Sequence, residues 1–420
     1  MARSGRIIFT ATLCFLIEIA RISGSNDYTC SYVINANWCT VSNVTLQTID
    51  EINAATFPNV SLINLKQPII NYLSPDLLKR MIVVDQMEID AGIVPRIYIK
   101  PTLSRLSAHK NQVLEVIIDA EDNYYLEHLG IAYNRLRSVP KNINCLKHLV
   151  RLHLHDNEIE VVNMDLLKNL SRLKILALHR NKIHRLDTTV PLKLTNLAEI
   201  HLYGNQLEVL FVSLWDFPNL GTFHLALNKF RSIGRFPEHF PRLSVTALGG
   251  NRWSCAWLVR SLGPALKNGD LKVAGDKQCL DNKVAGICCD GKPEDFGEFL
   301  VESLTDQFQR INVWMIQQQR SIEELGRKME AFHSDTLNDK LKNDEKIMNL
   351  DEQIGGLEDF VNKKIKHLQQ DLQRIDRNHP AEVLEQFEWF QEKLNENRAL
   401  IDDIIQDMYL EELRKFDVNT

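Results

Sequence analysis

One feature constrains this chain more than any other: an asparagine that returns every 23 or 24 residues inside a fixed apolar frame. Leu126, Leu129, Ile131, Asn134 and Leu136 follow L-x-x-L-x-L-x-x-N-x-L. The frame recurs at Leu149, Leu152, Leu154, Asn157 and Ile159, and again at Leu173, Leu176, Leu178, Asn181 and Ile183. It continues through Leu197, Ile200, Leu202, Asn205 and Leu207, then Leu220, Phe223, Leu225, Asn228 and Phe230. The last copy holds Leu243, Leu248, Asn251 and Trp253, with Thr246 in an apolar slot. A unit this short cannot bury its apolar side alone, so it specifies a stack in which each coil covers the next. Each copy is expected to supply one short parallel strand. The asparagine then sits where the chain leaves the strand, and its carboxamide pairs backbone groups that the interior would strand.

Upstream the register blurs. Leu103, Leu106, Ala108, Asn111 and Val113 fit the frame; Gly92 and Pro68 occupy the asparagine slot of the two copies before. The step from Gly92 to Asn111 is only 19 residues, which requires an irregular coil there. Six clear repeats and three degenerate ones predict an α/β solenoid, a leucine-rich repeat horseshoe.

A solenoid exposes its core at both ends and needs caps. Cys30 and Cys39 precede the repeats and read as an N-terminal bridge. Cys255, Cys279, Cys288 and Cys289 follow them and read as a C-terminal cap, with Trp257 where a Cys-x-Cys pair would place its second cysteine. Adjacent cysteines lie too close to bridge each other, so Cys288 and Cys289 look to Cys255 and Cys279. Bridges are expected over a zinc site, since no Cys-x-x-Cys pair is present. Cys145 is left over. Residues 12 before the other asparagines are polar (Asp122, Asn169, Lys193, Asp216, His239), so this position is expected to be exposed and Cys145 becomes the candidate interchain bridge.

Residues alternating with the buried ones face the concave side. That surface is expected to carry His128, His153, His155, His179, His201, Tyr203 and His224, the polar lining of a protein-binding groove. Glu199 is the only acid in these rows, so no metal is assigned, and no cofactor.

At the N-terminus, Arg3 and Arg6 precede an apolar run from Ile7 to Ile17, with small residues at Ala20, Ser23 and Gly24. This is the layout of a signal peptide and predicts secretion. The sequons at Asn43, Asn59 and Asn169 are then candidate glycan sites. No later stretch reaches membrane length. After Pro293 apolar residues fall into heptads, with seam positions including Ile322, Leu325, Ile354, Leu357, Leu368, Phe387, Leu394 and Ile401. The expected order is therefore 1–24 signal peptide, 25–56 N-terminal cap, 57–253 repeats, 254–292 cysteine-rich cap and 293–420 coiled coil. A net charge of −6 gives no electrostatic case for nucleic acid. No nucleophile elbow, paired-acid motif, phosphate loop or metalloprotease helix is present, so an enzyme is not expected.

Signal segment, repeats, the adjacent Cys288-Cys289 pair and a coiled coil together resemble the leucine-rich repeat immune proteins of mosquitoes, and the modest repeat count resembles their short subfamily. The resemblance implies a secreted haemolymph factor of innate immunity. Its implied partners are family members, as homo- or heterodimer, and complement-like thioester-containing proteins. A direct receptor for microbial surface molecules, or a scaffold regulating related complexes, are the other expectations.

Overall fold

The computed structural model describes residues 26–291, apart from 36, 121–122, 235, 270 and 280–281. The leader, the whole of the expected coiled coil and with it all eight seam residues named above lie outside the described residues.

A single curved sheet of 12 strands organises the chain. In order these are Tyr32–Asn35, Trp38–Ser42, Leu62–Lys66, Gln86–Asp90, Arg105–His109, His128–Gly130, Arg151–His153, Ile175–Ala177, Glu199–His201, Thr222–His224, Val245–Ala247 and Lys272–Ala274. The first two pair antiparallel; every later neighbour is parallel and consecutive. This is a leucine-rich repeat solenoid. In-register pairing stacks like on like: Leu106, Leu129, Leu152, Leu176, Ile200 and Phe223 form one fully buried column. Each such side chain gains roughly 1.5–3 kcal/mol on burial, available only because its neighbours are present. Thr246 continues the column. It is completely buried, and its hydroxyl donates to Phe223 O at 2.7 Å, which offsets the burial of a polar group.

The sheet overruns the boundaries that the repeat frame suggests. Trp38–Ser42 belongs to the expected N-terminal cap and Lys272–Ala274 to the expected C-terminal cap, yet both extend the same ladder. Strand pairing needs backbone, not consensus leucines, and each added strand satisfies groups that a bare sheet edge would leave open.

The asparagines close the turns as a second ladder. In Asn157, Asn181, Asn205 and Asn228, Oδ1 accepts from a backbone N–H of the preceding coil, respectively of Leu136, Ile159, Ile183 and Leu207. Each Nδ2 donates to a carbonyl of the preceding coil and to one of its own, such as Leu154 O and Leu178 O for Asn181. The residue before each asparagine takes a left-handed φ: Lys110, Tyr133, Asp156, Arg180, Gly204, Leu227 and Gly250. On the return side the coils carry short two-stranded ladders, such as Val161–Asn163 with Arg185–Asp187, and 3-10 turns at Ile143–Cys145 and Met164–Leu167.

Both ends are stapled. Cys30 bonds Cys39 across the first hairpin. At the other end Cys255 bonds Cys289 and Cys279 bonds Cys288. Trp257 fills the place of a further cap cysteine with packing: it is buried, stacks on Trp253 at 4.6 Å and donates its indole N–H to Ile233 O.

Cys145 departs from expectation. It takes no part in these three bridges, and it is buried in the core where Asn169, Lys193 and Asp216, its counterparts in other coils, are exposed. The 3-10 turn Ile143–Cys145 tightens the chain and folds this short side chain onto the core cluster with Ile143 and Leu146. A buried sulfur has no route to a second chain, which removes the reason for choosing Cys145 as the interchain bridge.

Candidate functional site on the concave face

Alternation along each strand sets the site. In Arg151–His153 and the residues after it, Leu152 and Leu154 are buried while His153 and His155 stand half-buried on the opposite side. Because successive coils keep register, residues at equivalent positions become neighbours about one strand spacing apart, close enough for rings to touch.

The result is a continuous ring ladder. His109 stacks on Tyr133 at 4.6 Å, and Tyr133 meets His155 edge-on at 5.6 Å. His155 stacks on His179 at 4.3 Å and 9°, and His179 on Tyr203 at 4.3 Å and 14°. Lys110 lies over the Tyr133 ring and Arg180 over the Tyr203 ring. A second row runs beside it, where His153 meets His155 at 6.1 Å and His201 meets His224 at 4.9 Å. His224 Nδ1 and His201 Nδ1 share a hydrogen bond at 3.1 Å, while His201 Nε2 donates to Glu199 Oε2 at 3.2 Å. With Nε2 as donor, the neutral His201 accepts at Nδ1, so the proton between the rings belongs to His224. At the rim, Arg151 donates to His128 Nε2 at 3.1 Å.

Burial disfavours charge on four of these histidines. It is the largest cause lowering the pKa of His128, His153 and His224, with adjacent cations or imidazoles adding to it. For His179, burial followed by the neighbouring His155 and His201 pushes the imidazole down to about 3. Two ring nitrogens, His153 Nε2 and His179 Nδ1, are shut off from water with no hydrogen-bond partner. These four imidazoles therefore stay uncharged at neutral pH, on a face of flat rings rimmed by Arg and Lys. Such a surface suits stacking and hydrogen bonding with a protein or sugar more than attraction of a charged polymer.

The seven residues expected on this surface fall in three rows: His155, His179 and Tyr203 in the ladder, His153, His201 and His224 beside it, and His128 at the rim in register with Arg151. Sequence spacing missed three contributors. His109 lies in a degenerate repeat. Tyr133 and Asp156 each occupy the position before an asparagine, where left-handed φ values of 56° and 52° carry residues that simple alternation does not place. Asp156 Oδ2 accepts from His155 Nδ1 at 2.9 Å, and Arg180 lies 3.9 Å from its other oxygen. The signal was the asparagine frame itself: the residue before it turns at every coil. Elsewhere, the three sequon asparagines Asn43, Asn59 and Asn169 are exposed.

A leucine rich repeat model matches residues 147–207. Tsukushi-A of Xenopus laevis is 28% identical over 131 residues, which is 30% of this chain and 36% of that protein. The alpha subunit of geranylgeranyl transferase type-2 of Rattus norvegicus is 35% identical over 101 residues, 24% of this chain and 17% of that one. The chain thus spans about a third or less of the length of these relatives. Among solved structures, the LRIM1/APL1C complex is similar with a TM-score of 0.47 at 17% identity, covering 91% of this chain and 84% of that one. The LRIM1 leucine-rich repeat domain is similar with a TM-score of 0.45 at 18% identity, covering 64% and 96%.

Proposed function

We propose that this chain is a secreted innate-immune factor, a binding protein rather than an enzyme. It holds protein partners through its repeats and pairs with related chains through a C-terminal coiled coil. The observation that carries the reading is the concave ladder from His109 to Tyr203, a row of half-buried rings that no catalytic group interrupts. Stacked rings of this kind lose little side-chain freedom on contact and supply broad apolar area with polar edges, the composition of protein recognition surfaces. The disulfide-stapled caps fit an oxidising extracellular setting, and the exposed sequons accept glycans there. The heptads after Pro293 support the pairing of chains. The complement-like thioester proteins implied by the sequence resemblance are the partner class proposed for the assembled pair.

The test is co-sedimentation of the secreted full-length chain with a family member and with a thioester-containing protein. Three forms are compared: wild type, a Tyr133→Ala/His155→Ala/Tyr203→Ala variant, and a Leu357→Asp/Leu368→Asp variant. Loss of chain pairing in the heptad variant, and of thioester-protein capture in either, supports the proposal. Full capture by both variants refutes it. Binding of microbial glycans by the lone wild-type chain, lost in the concave variant, moves the function to direct recognition.

A further inference from the structure

The concave face holds one point where the sequence rows show no acid and the fold supplies one. His155 and Asp156 come from one coil and His179 from the next, yet one ligand atom from each lies within 4.8 Å of the other two. Left-handed backbone at Asp156 brings its carboxylate beside its own neighbour His155, and His179 stacks on that ring from the adjacent repeat. Two imidazoles and a carboxylate are a ligand set for a borderline divalent ion, where all-oxygen sites select calcium or magnesium.

We propose that His155, Asp156 and His179 form a binding site for a divalent transition-metal ion of the zinc type on the concave surface. Three features carry this. The 2.9 Å between His155 Nδ1 and Asp156 Oδ2 is a hydrogen-bond distance, and it is also the bite of two ligands about 2.0–2.1 Å from one ion. The proton they share passes to His155 Nε2 when the ion enters, so the ring stays neutral and nothing is lost to solvent. His179 Nδ1, sealed from water without a hydrogen-bond partner, leaves a buried lone pair that the protein itself does not use. Imidazole lone pairs lie in the ring plane, so the two rings, now 9° from parallel, splay about their Cβ–Cγ bonds to meet the ion. Solvent completes the coordination from the open side of the groove. Arg180, 3.9 Å from Asp156 Oδ1, opposes the ion's charge and keeps the affinity moderate. The second metal-compatible cluster among the described residues, Asp276 with Cys279 and Cys288, is closed to this chemistry because its sulfurs are bonded to each other.

The experiment is calorimetric titration of zinc into the chelator-stripped, full-length chain, with cobalt absorption to read the ligand field. One saturable ion per chain is expected, unaffected by excess magnesium or calcium. Asp156→Asn and His179→Ala should each weaken it by about tenfold or more, as loss of a ligand or of its support does. Arg180→Ala should tighten it, an outcome that a purely structural role for these residues would not produce. His201→Ala and His224→Ala should leave it unchanged. Should His179→Ala unfold, protection of His155 and His179 of the wild-type chain from diethyl pyrocarbonate by zinc reads the same site without a variant. No saturable binding, binding that survives Asp156→Asn and His179→Ala, or binding that follows His201 and His224 overturns the proposal.

Discussion

Gly92 lies against Pro68, the residue at the same turn of the preceding coil, so closely that a Cβ on Gly92 would fall 2.4 Å from Pro68 O. Both stand in the slot where later coils carry asparagine. Gly92 N–H donates instead to Asn111 Oδ1 of the following coil, so the glycine receives the ladder's bond without giving one. The 24-residue step from Pro68 to Gly92 is thus closed by bare backbone packed on a proline ring. Gly92→Ala should therefore lower stability by roughly 1–3 kcal/mol, the usual cost of overpacking. Gly130, whose added Cβ would meet nothing nearer than Ser107 Oγ at 3.6 Å, is the control, and Gly130→Ala should stay within about 0.5 kcal/mol. Urea unfolding followed by the fluorescence of the buried tryptophans measures both. Equal midpoints for the two variants would refute the steric account.

The asparagine ladder makes a second prediction. Asn181 accepts from Ile159 N–H and donates to Leu154 O and Leu178 O, all in buried surroundings. Asn181→Ala leaves the Ile159 N–H dry and unpaired, at a cost of about 1–3 kcal/mol, while Leu154 O and Leu178 O each keep one donor, the Nδ2 of Asn157 and of Asn205. A total loss of about 2–3 kcal/mol is expected in the same assay, from one orphaned donor and two weakened acceptors. Asn181→Asp keeps the acceptor but loses both donations and buries a charge, so it should be no milder. A loss below about 1 kcal/mol in Asn181→Ala would mean that water enters the turn and satisfies the backbone.

Burial of Cys145 has a consequence on gels. If the full-length chain runs as a covalent dimer under non-reducing conditions, Cys145→Ser should leave that band in place. The substitution should instead lower the unfolding midpoint slightly, because a hydroxyl replaces a sulfur packed with Ile143 and Leu146. Disappearance of the dimer in Cys145→Ser alone would contradict the buried placement.

Much of this molecule was legible in its sequence because periodic residues obey periodic geometry. The Leu152-Leu154 alternation placed His153 and His155, and the 23 to 24 residue step stacked them on their neighbours. What stayed hidden has specific causes. Trp38–Ser42 and Lys272–Ala274 join the sheet through backbone bonds that need no leucine frame. Tyr133 and Asp156 reach the concave face through left-handed turns, which alternation cannot describe. Cys145 followed its counterparts in register but not in local conformation, because a 3-10 turn displaced it. Pairing within the C-terminal cap was open between two arrangements. The strand pairing of Trp253–Ser254 with Ile287–Asp290 places Cys289 beside the chain leading to Cys255, and leaves Cys288 facing Cys279.

The buried imidazoles predict loss of stability in mild acid. A free histidine titrates near 6.5, whereas His179 in the fold titrates at about 3. Between those values the unfolded chain binds a proton that the folded chain refuses, so stability falls as pH drops through 6.5 and goes on falling toward 3. His153, His224 and His128, also lowered by burial, add to the same trend. His179 is faced by His155, His201 and Arg180, which disfavour its proton, and by Asp156, which favours it. Its half-exposed position screens these charges, so the effect is smaller than the shift in isolation implies. His179→Phe keeps a ring for the stack with Tyr203 and removes the titration. Its unfolding midpoint should vary less than that of wild type between pH 6.5 and 4.5, above the range where carboxylates dominate. Parallel curves for the two proteins across that window would show that His179 takes up its proton in the folded state, with the ring ladder open to water.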